Sequence, residues 1–120
     1  MRNLAKWKCD KYGMINIHIV GKCMEPLIKH GDVITISKLS CDPQLGDIVL
    51  VYTDNLLKVH RIVYIDNSIV LTKGDNVDCF DRNTDIKNII GLYHCNELDR
   101  IIKTKNSYEI GLKQLCTKGV

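Results

Sequence analysis

A thiol, an imidazole and several carboxylates stand on three separate stretches of this 120-residue chain. Cys23 lies in Gly21-Lys22-Cys23-Met24-Glu25-Pro26, a loop punctuated by Gly and Pro directly after the alternating run Met14–Val20. His60 stands in Val59-His60-Arg61-Ile62. Asp75, Asp78 and Asp81 follow in Lys73-Gly74-Asp75-Asn76-Val77-Asp78-Cys79-Phe80-Asp81-Arg82. These are the parts of a nucleophile, base and orienter set. A free thiol, with a pKa near ~8.5, is mostly protonated at neutral pH, and the thiolate is the attacking form. An imidazole titrating near ~6.5 can accept that proton. A carboxylate on the second ring nitrogen fixes the tautomer and stabilises the imidazolium that forms.

Such a set works only if rigid elements bring the three stretches together. Residues 14–20 read as a first strand and residues 21–32 as the Cys23 loop, with Pro26 placed to open a single helical turn over 26–29. Residues 32–38 are rich in β-branched side chains and read as a second strand. The turn-forming loop 40–47 precedes a third strand, 48–53, whose unbroken apolar run predicts burial on both faces. Asp54-Asn55 and Asp66-Asn67 read as tight reversals, before strands 56–65 and 68–73. A polar loop spans 74–88, and 89–94 is a further short strand. Residues 1–13 fit either a short helix or an extended arm. Residues 97–116 show no clean period and read as a short strand followed by a short helix. Strands joined by short turns predict a mainly β, antiparallel, meandering architecture over one domain, residues 1–120.

Composition narrows the function. The net charge is +3 and no stretch concentrates Lys and Arg among aromatic residues, which argues against nucleic acid as a partner. Lys103, Lys105 and Lys113 read as a solvated face. No run of 18 apolar residues exists, so no integral membrane segment is expected. The first eight residues lack the apolar core of a signal peptide, so a soluble, cytoplasmic protein is expected. The six cysteines, Cys9, Cys23, Cys41, Cys79, Cys95 and Cys116, form no Cys-x-x-Cys pair. No metal site, cofactor or disulfide framework is therefore expected. His18, His30 and His94 read as ordinary side chains, His30 as solvated, and Met24 as a pocket wall or core filler.

Six short words, in order, resemble the type I signal peptidase family, most closely its endoplasmic-reticulum and archaeal branch. They are Gly21–Pro26, Gly31-Asp32, Gly46–Val49, Val59–Ile62, Thr72–Asn76 and Ile89–Gly91, and they cover residues 14–93. In that family the first word is Ser-Met-x-Pro with a serine nucleophile. The branch resembled here has its histidine base in a His-Arg-Ile/Val word, standing here as His60-Arg61-Ile62. The related self-cleaving SOS-response repressors carry a lysine base at that strand position. The resemblance implies the coiled β-sheet fold of signal peptidases and SOS repressors, with short helical segments. It implies that Asp81, followed by Arg82, orients the histidine, and that Asp75 supports the site or is an alternative orienter. Gly21, Met24 and Pro26 would shape the nucleophile loop.

The chain departs from the family at three points. Cys23 stands where the family has serine, no counterpart of the family's membrane anchor is expected, and Gly21 replaces a hydroxyl that assists the oxyanion hole in some bacterial members. The hole would then be made from backbone N–H groups, that of Cys23 first. The expected function is a soluble endopeptidase that processes leader or precursor peptides with Cys23 as nucleophile, His60 as general base and Asp81 as orienter. Its substrate, a peptide or precursor protein, would lie extended along strand 14–20, and the resemblance implies small residues just before the cut. A self-cleaving repressor-type domain is the alternative within the fold, although neither an Ala-Gly nor a Cys-Gly bond occurs. A non-catalytic peptide-binding module that keeps the groove is the alternative from another class.

Overall fold

The computed structural model describes the backbone of residues 2–118 and the side-chain surroundings of residues 4–114. The reading of Cys116 lies outside the described side chains. Seven strands form one curled antiparallel sheet: β1 (Met14–His18), β2 (Val33–Lys38), β3 (Ile48–Thr53), β4 (Leu56–Asp66), β5 (Ile69–Lys73), β6 (Thr84–Asp85) and β7 (Ile89–Tyr93). Their spatial order is β1-β2-β7-β3-β4-β5-β6. The expectation of a mainly β, antiparallel chain holds. The connection is less simple than a meander, because β7 enters between β2 and β3 and bonds to both.

The central strand shows why. In β3 every residue except Tyr52 is buried. Ile48 and Leu50 join a core with Ile34, Ile36, Met24, Ile28 and Cys9, while Val49 and Val51 join a second core with Ile62, Val70 and Ile89. Successive side chains point to opposite faces of a strand, so an unbroken apolar run needs cover on both sides. Here α1 (Arg2–Tyr12) and the 21–32 loop cover one face. The other cluster also gathers Leu39, Ile65 and Ile86. Asp54 and Asn55 have φ of 54° and 63°, and Asn67 has φ of 55°. These are the left-handed values that a tight hairpin needs and that Asx residues tolerate.

Two expectations are corrected, and an open choice is decided. Of residues 1–13, for which a short helix and an extended arm both fitted, Arg2–Tyr12 form the helix α1. No helical turn starts at Pro26; residues 23–27 form turns, with a single Ile28 N–H to Met24 carbonyl bond of 3.0 Å, and the Glu25–Pro26 peptide is cis. Residues 97–116 contain no strand, since α2 runs unbroken over Glu97–Lys118. Among the described side chains of α2, the buried ones are small or polar, Thr104, Ser107 and Gly111, whereas Leu98, Ile101 and Ile102 are exposed. An apolar period is therefore not the signature of this helix's packing.

Among the described residues, no helix is long and apolar enough to cross a membrane.

Candidate active site

A cleft of about 630 Å³ opens between the end of β1 and β4. Residues 17–21 form one wall, residues 56–60 another, and Val77, Cys79 and Asp81 the rim, with Leu50 and Met24 inside. Cys23, His60 and Asp81 all line it, as does Gly21. Pro26 is exposed and does not. Asp75 also stands outside the lining residues.

His60 pairs with Val49 in the β3–β4 ladder and is only 6 % exposed. A polar side chain so buried must be bonded, and His60 Nδ1 lies 2.5 Å from Asp81 Oδ2. Thr72 on β5 donates its hydroxyl to the same oxygen at 2.7 Å. Lys58 Nζ donates to the other oxygen, Asp81 Oδ1, at 3.2 Å. The backbone N–H of Asp81 bonds the Thr72 carbonyl at 2.9 Å, which ties the loop to β5. Burial would push the Asp81 carboxyl up, but the His60 hydrogen bond and charge, the Thr72 hydroxyl and Lys58 outweigh it and hold the group below the usual carboxylate range. Asp81 is thus anionic at neutral pH, with its bond on Nδ1 of the ring. The ring's Nε2 is left as the atom for proton transfer.

Asp75 occupies a different place. Its carboxylate takes a bidentate pair from Arg61, Nε to Oδ1 at 2.9 Å and Nη2 to Oδ2 at 2.8 Å, and a Ser107 hydroxyl at 3.1 Å. Arg61 is fully buried and also donates to the Gly46 carbonyl at 2.9 Å. Burial would lower the guanidinium's affinity for its proton; the Asp75 carboxylate outweighs this and raises it. Of the two readings for Asp75, the structure gives it a structural contact: it joins β4, the loop 74–83 and α2, and Asp81 is the carboxylate on His60.

The Cys23 loop is fastened to the same region. The Asn76 N–H bonds the Cys23 carbonyl at 2.7 Å, and the Asn76 side-chain amide bonds the Lys22 carbonyl at 2.9 Å. Met24 is buried, and its sulfur accepts the Asp75 N–H at 3.3 Å, so it is a pocket wall with a polar contact. Gly74 touches Cys23 so closely that a Cβ there would lie 2.7 Å from the Cys23 carbonyl oxygen and 3.0 Å from its Cβ. The word Gly74-Asp75-Asn76 is therefore more than a turn: each of its residues contacts the Cys23 loop or its neighbour.

Three features were not read from the sequence. His30 is exposed, as expected of a solvated turn histidine, yet its Nδ1 accepts the Gly21 N–H at 2.9 Å, and Gly21 has φ of +92°, a left-handed value that favours glycine. Lys58 joins the Asp81 carboxylate, and only an alternation count from His60 would have placed both side chains on one face. Lys73 is fully buried and donates to the Gly74 carbonyl at 2.7 Å; burial lowers its pKa against the pull of Asp75, Asp78 and Asp81. Asp78 and Cys79 are exposed, and His18 and His94 are also exposed. Among the described residues no group of three His, Cys, Asp or Glu side chains is arranged to hold a metal ion.

The chain matches no protein-family model and no curated protein.

Proposed function

We propose that this chain is an endopeptidase of the signal-peptidase type, with Cys23 as nucleophile, His60 as general base and Asp81 as orienter, on the coiled sheet shared by signal peptidases and SOS repressors. The observation that carries the reading is the buried His60–Asp81 pair at 2.5 Å in a cleft that Cys23 also lines. His60 takes the thiol proton as the Cys23 sulfur attacks the scissile carbonyl. The tetrahedral oxyanion collapses to a thioester as the imidazolium passes its proton to the leaving amine. Water, deprotonated by His60, then hydrolyses the thioester and frees the thiol. The Cys23 backbone N–H is the proposed oxyanion donor.

The edge position of β1 supports an extended substrate. β1 pairs only with β2 among the described strands, and its continuation, residues 17–21, lines the cleft. A peptide can add to such an edge through main-chain hydrogen bonds. The apolar lining, with Ile17, Leu50, Leu57 and Val59, suits uncharged side chains near the cut.

Incubation with a diverse peptide library, read by mass spectrometry, tests the proposal. Cleavage is expected from the native chain and is lost in Cys23→Ala and His60→Ala. Binding of peptides without any Cys23-dependent cleavage would instead favour the non-catalytic peptide-binding reading.

A further inference from the structure

We infer that Lys58 is a positioning residue of this site: its ammonium group fixes the Asp81 carboxylate, and through it the His60 ring, in the geometry and charge state that proton transfer requires. The inference rests on the Cys23–His60–Asp81 reading. Residues 58 and 60 are two apart on β4, so both side chains leave the same face of the strand. They meet one carboxylate from one side: His60 on Oδ2 and Lys58 on Oδ1.

A carboxylate held on one oxygen can turn about its terminal torsion, which is soft. Held on both, it cannot turn without breaking a bond. Lys58 is itself held, by Asp54 Oδ2 at 2.9 Å in the hairpin turn between β3 and β4. Its side chain is 21 % exposed, so the ammonium group is shielded more than an ordinary surface lysine. The line Asp54–Lys58–Asp81–His60 thus runs from a tight turn to the base.

The charge matters as well as the bonds. An isolated carboxylate beside an imidazole favours the imidazolium, which cannot act as a base. A cation on the far oxygen offsets that pull. The other groups around the pair come from every neighbouring element. From β5, Lys73 is buried near Asp81 and the Thr72 hydroxyl bonds it; from the 74–83 loop, Asp78 and Cys79 are exposed, and Arg82 reaches Asp54 at 3.8 Å; from β1, His18 lines the same cleft, which Cys23 shares. Lys58 is the cation bonded directly to the Asp81 carboxylate in this set.

The test reads His60 itself. The ring titration, followed by NMR in the intact chain, is expected to move its midpoint upward by about one pH unit in Lys58→Met and to return towards the native midpoint in Lys58→Arg. The acidic limb of Cys23-dependent peptide cleavage, or of Cys23 alkylation, should move with it. An unchanged midpoint in Lys58→Met overturns the inference, even if activity falls, because a merely structural lysine would lower activity without moving the titration. If Lys58→Met does not fold, Lys58→Gln carries the same comparison. The NMR titration needs no substrate. Absence of cleavage by the native chain would therefore count against the peptidase reading, while an unmoved titration would count against the role of Lys58.

Discussion

Asp75 and Asp81 are six positions apart and belong to one loop, yet their substitution should fail in different ways. Asp81→Asn keeps the shape but removes the charge that stabilises the imidazolium, and its amide can present an N–H where His60 needs an acceptor. Peptide cleavage is expected to fall by roughly 10²- to 10⁴-fold, the usual worth of a positioned acid–base group, while the chain still folds. Asp75→Asn leaves the fully buried Arg61 without its carboxylate. Breaking one side of a buried pair costs about 3–5 kcal/mol, so the denaturant midpoint should drop strongly. The fraction that remains folded should keep the native pH dependence of Cys23 alkylation. Urea titration and pH-resolved alkylation, mapped by peptide mass with the exposed Cys41 as internal reference, separate the two. Equal loss of stability in both variants would show that the carboxylates share one role. At Cys23 the same alkylation experiment gives a further expectation: faster labelling than Cys41 at neutral pH, slowed in His60→Ala. Labelling indifferent to His60 would count heavily against a nucleophile activated by that ring.

At the scale of elements, the site depends on how the 21–32 loop is pressed against the 74–83 loop. Gly74 has no positive φ, so alanine suits its backbone; the obstacle is the Cys23 backbone 2.7 Å from the new Cβ. Gly74→Ala is therefore expected to displace Cys23 and lower cleavage by at least about tenfold, since misplacement by about an ångström can cost 10²-fold. Thermal unfolding should shift far less than in Asp75→Asn. Full activity in Gly74→Ala would show that the Cys23 carbonyl can give way without cost. These contacts also explain what could be read from the sequence. β2 to β5 were legible because β-branched runs and Asx turns report local rules, and β3 announced its double burial by an unbroken apolar run. The pairing of β7 between β2 and β3 was not legible, because no local signal encodes which distant strand fills a gap. Residues 97–118 misled because the buried Thr104, Ser107 and Gly111 pack on loops rather than on an apolar surface: Thr104 lies against Gly46, Gly111 leaves room for the Phe80 ring, and Ser107 reaches Asp75. The short words carried Cys23, His60 and Asp81 to one cleft. Lys58 and His30 lay outside any word, since a strand lysine and a turn histidine look ordinary until their partners are seen.

For the whole molecule, the charges tied to this cleft set how stability responds to pH, and the two ends of the scale should differ. Asp81 is held below its ordinary range with His60, Thr72 and Lys58 as the cause, and Asp54 is lowered first by its hydrogen bond to Lys58. A carboxyl whose folded pKa is depressed contributes stability that is present above its unfolded value, about 3.9, and lost as pH falls through the folded value. Asp54 is more exposed, so solvent screens most of its share; Asp81 should dominate. On the alkaline side two lysines oppose each other. For Lys58, burial acts downward but the carboxylates of Asp54 and Asp81 outweigh it, and the raised value makes its contribution present below about 10.4 and lost only as pH climbs through the folded value. For Lys73, burial lowers the folded value, so the unfolded chain binds more protons in the window just below about 10.4, and stability gains there as pH rises. The expected profile of urea midpoints is thus steep below about pH 4, rises in the window just below about 10.4 where Lys73 titrates, and falls above it as Lys58 loses its proton. Asp81→Asn should flatten the acid limb and, because Asp81 is one of the two carboxylates that hold Lys58 up, also reduce the Lys58 contribution on the alkaline side, whereas Lys73→Met should raise stability most at neutral pH and lose that advantage as pH rises. An Asp81→Asn variant as acid-sensitive as the native chain would locate the acid-labile carboxylate elsewhere in the fold.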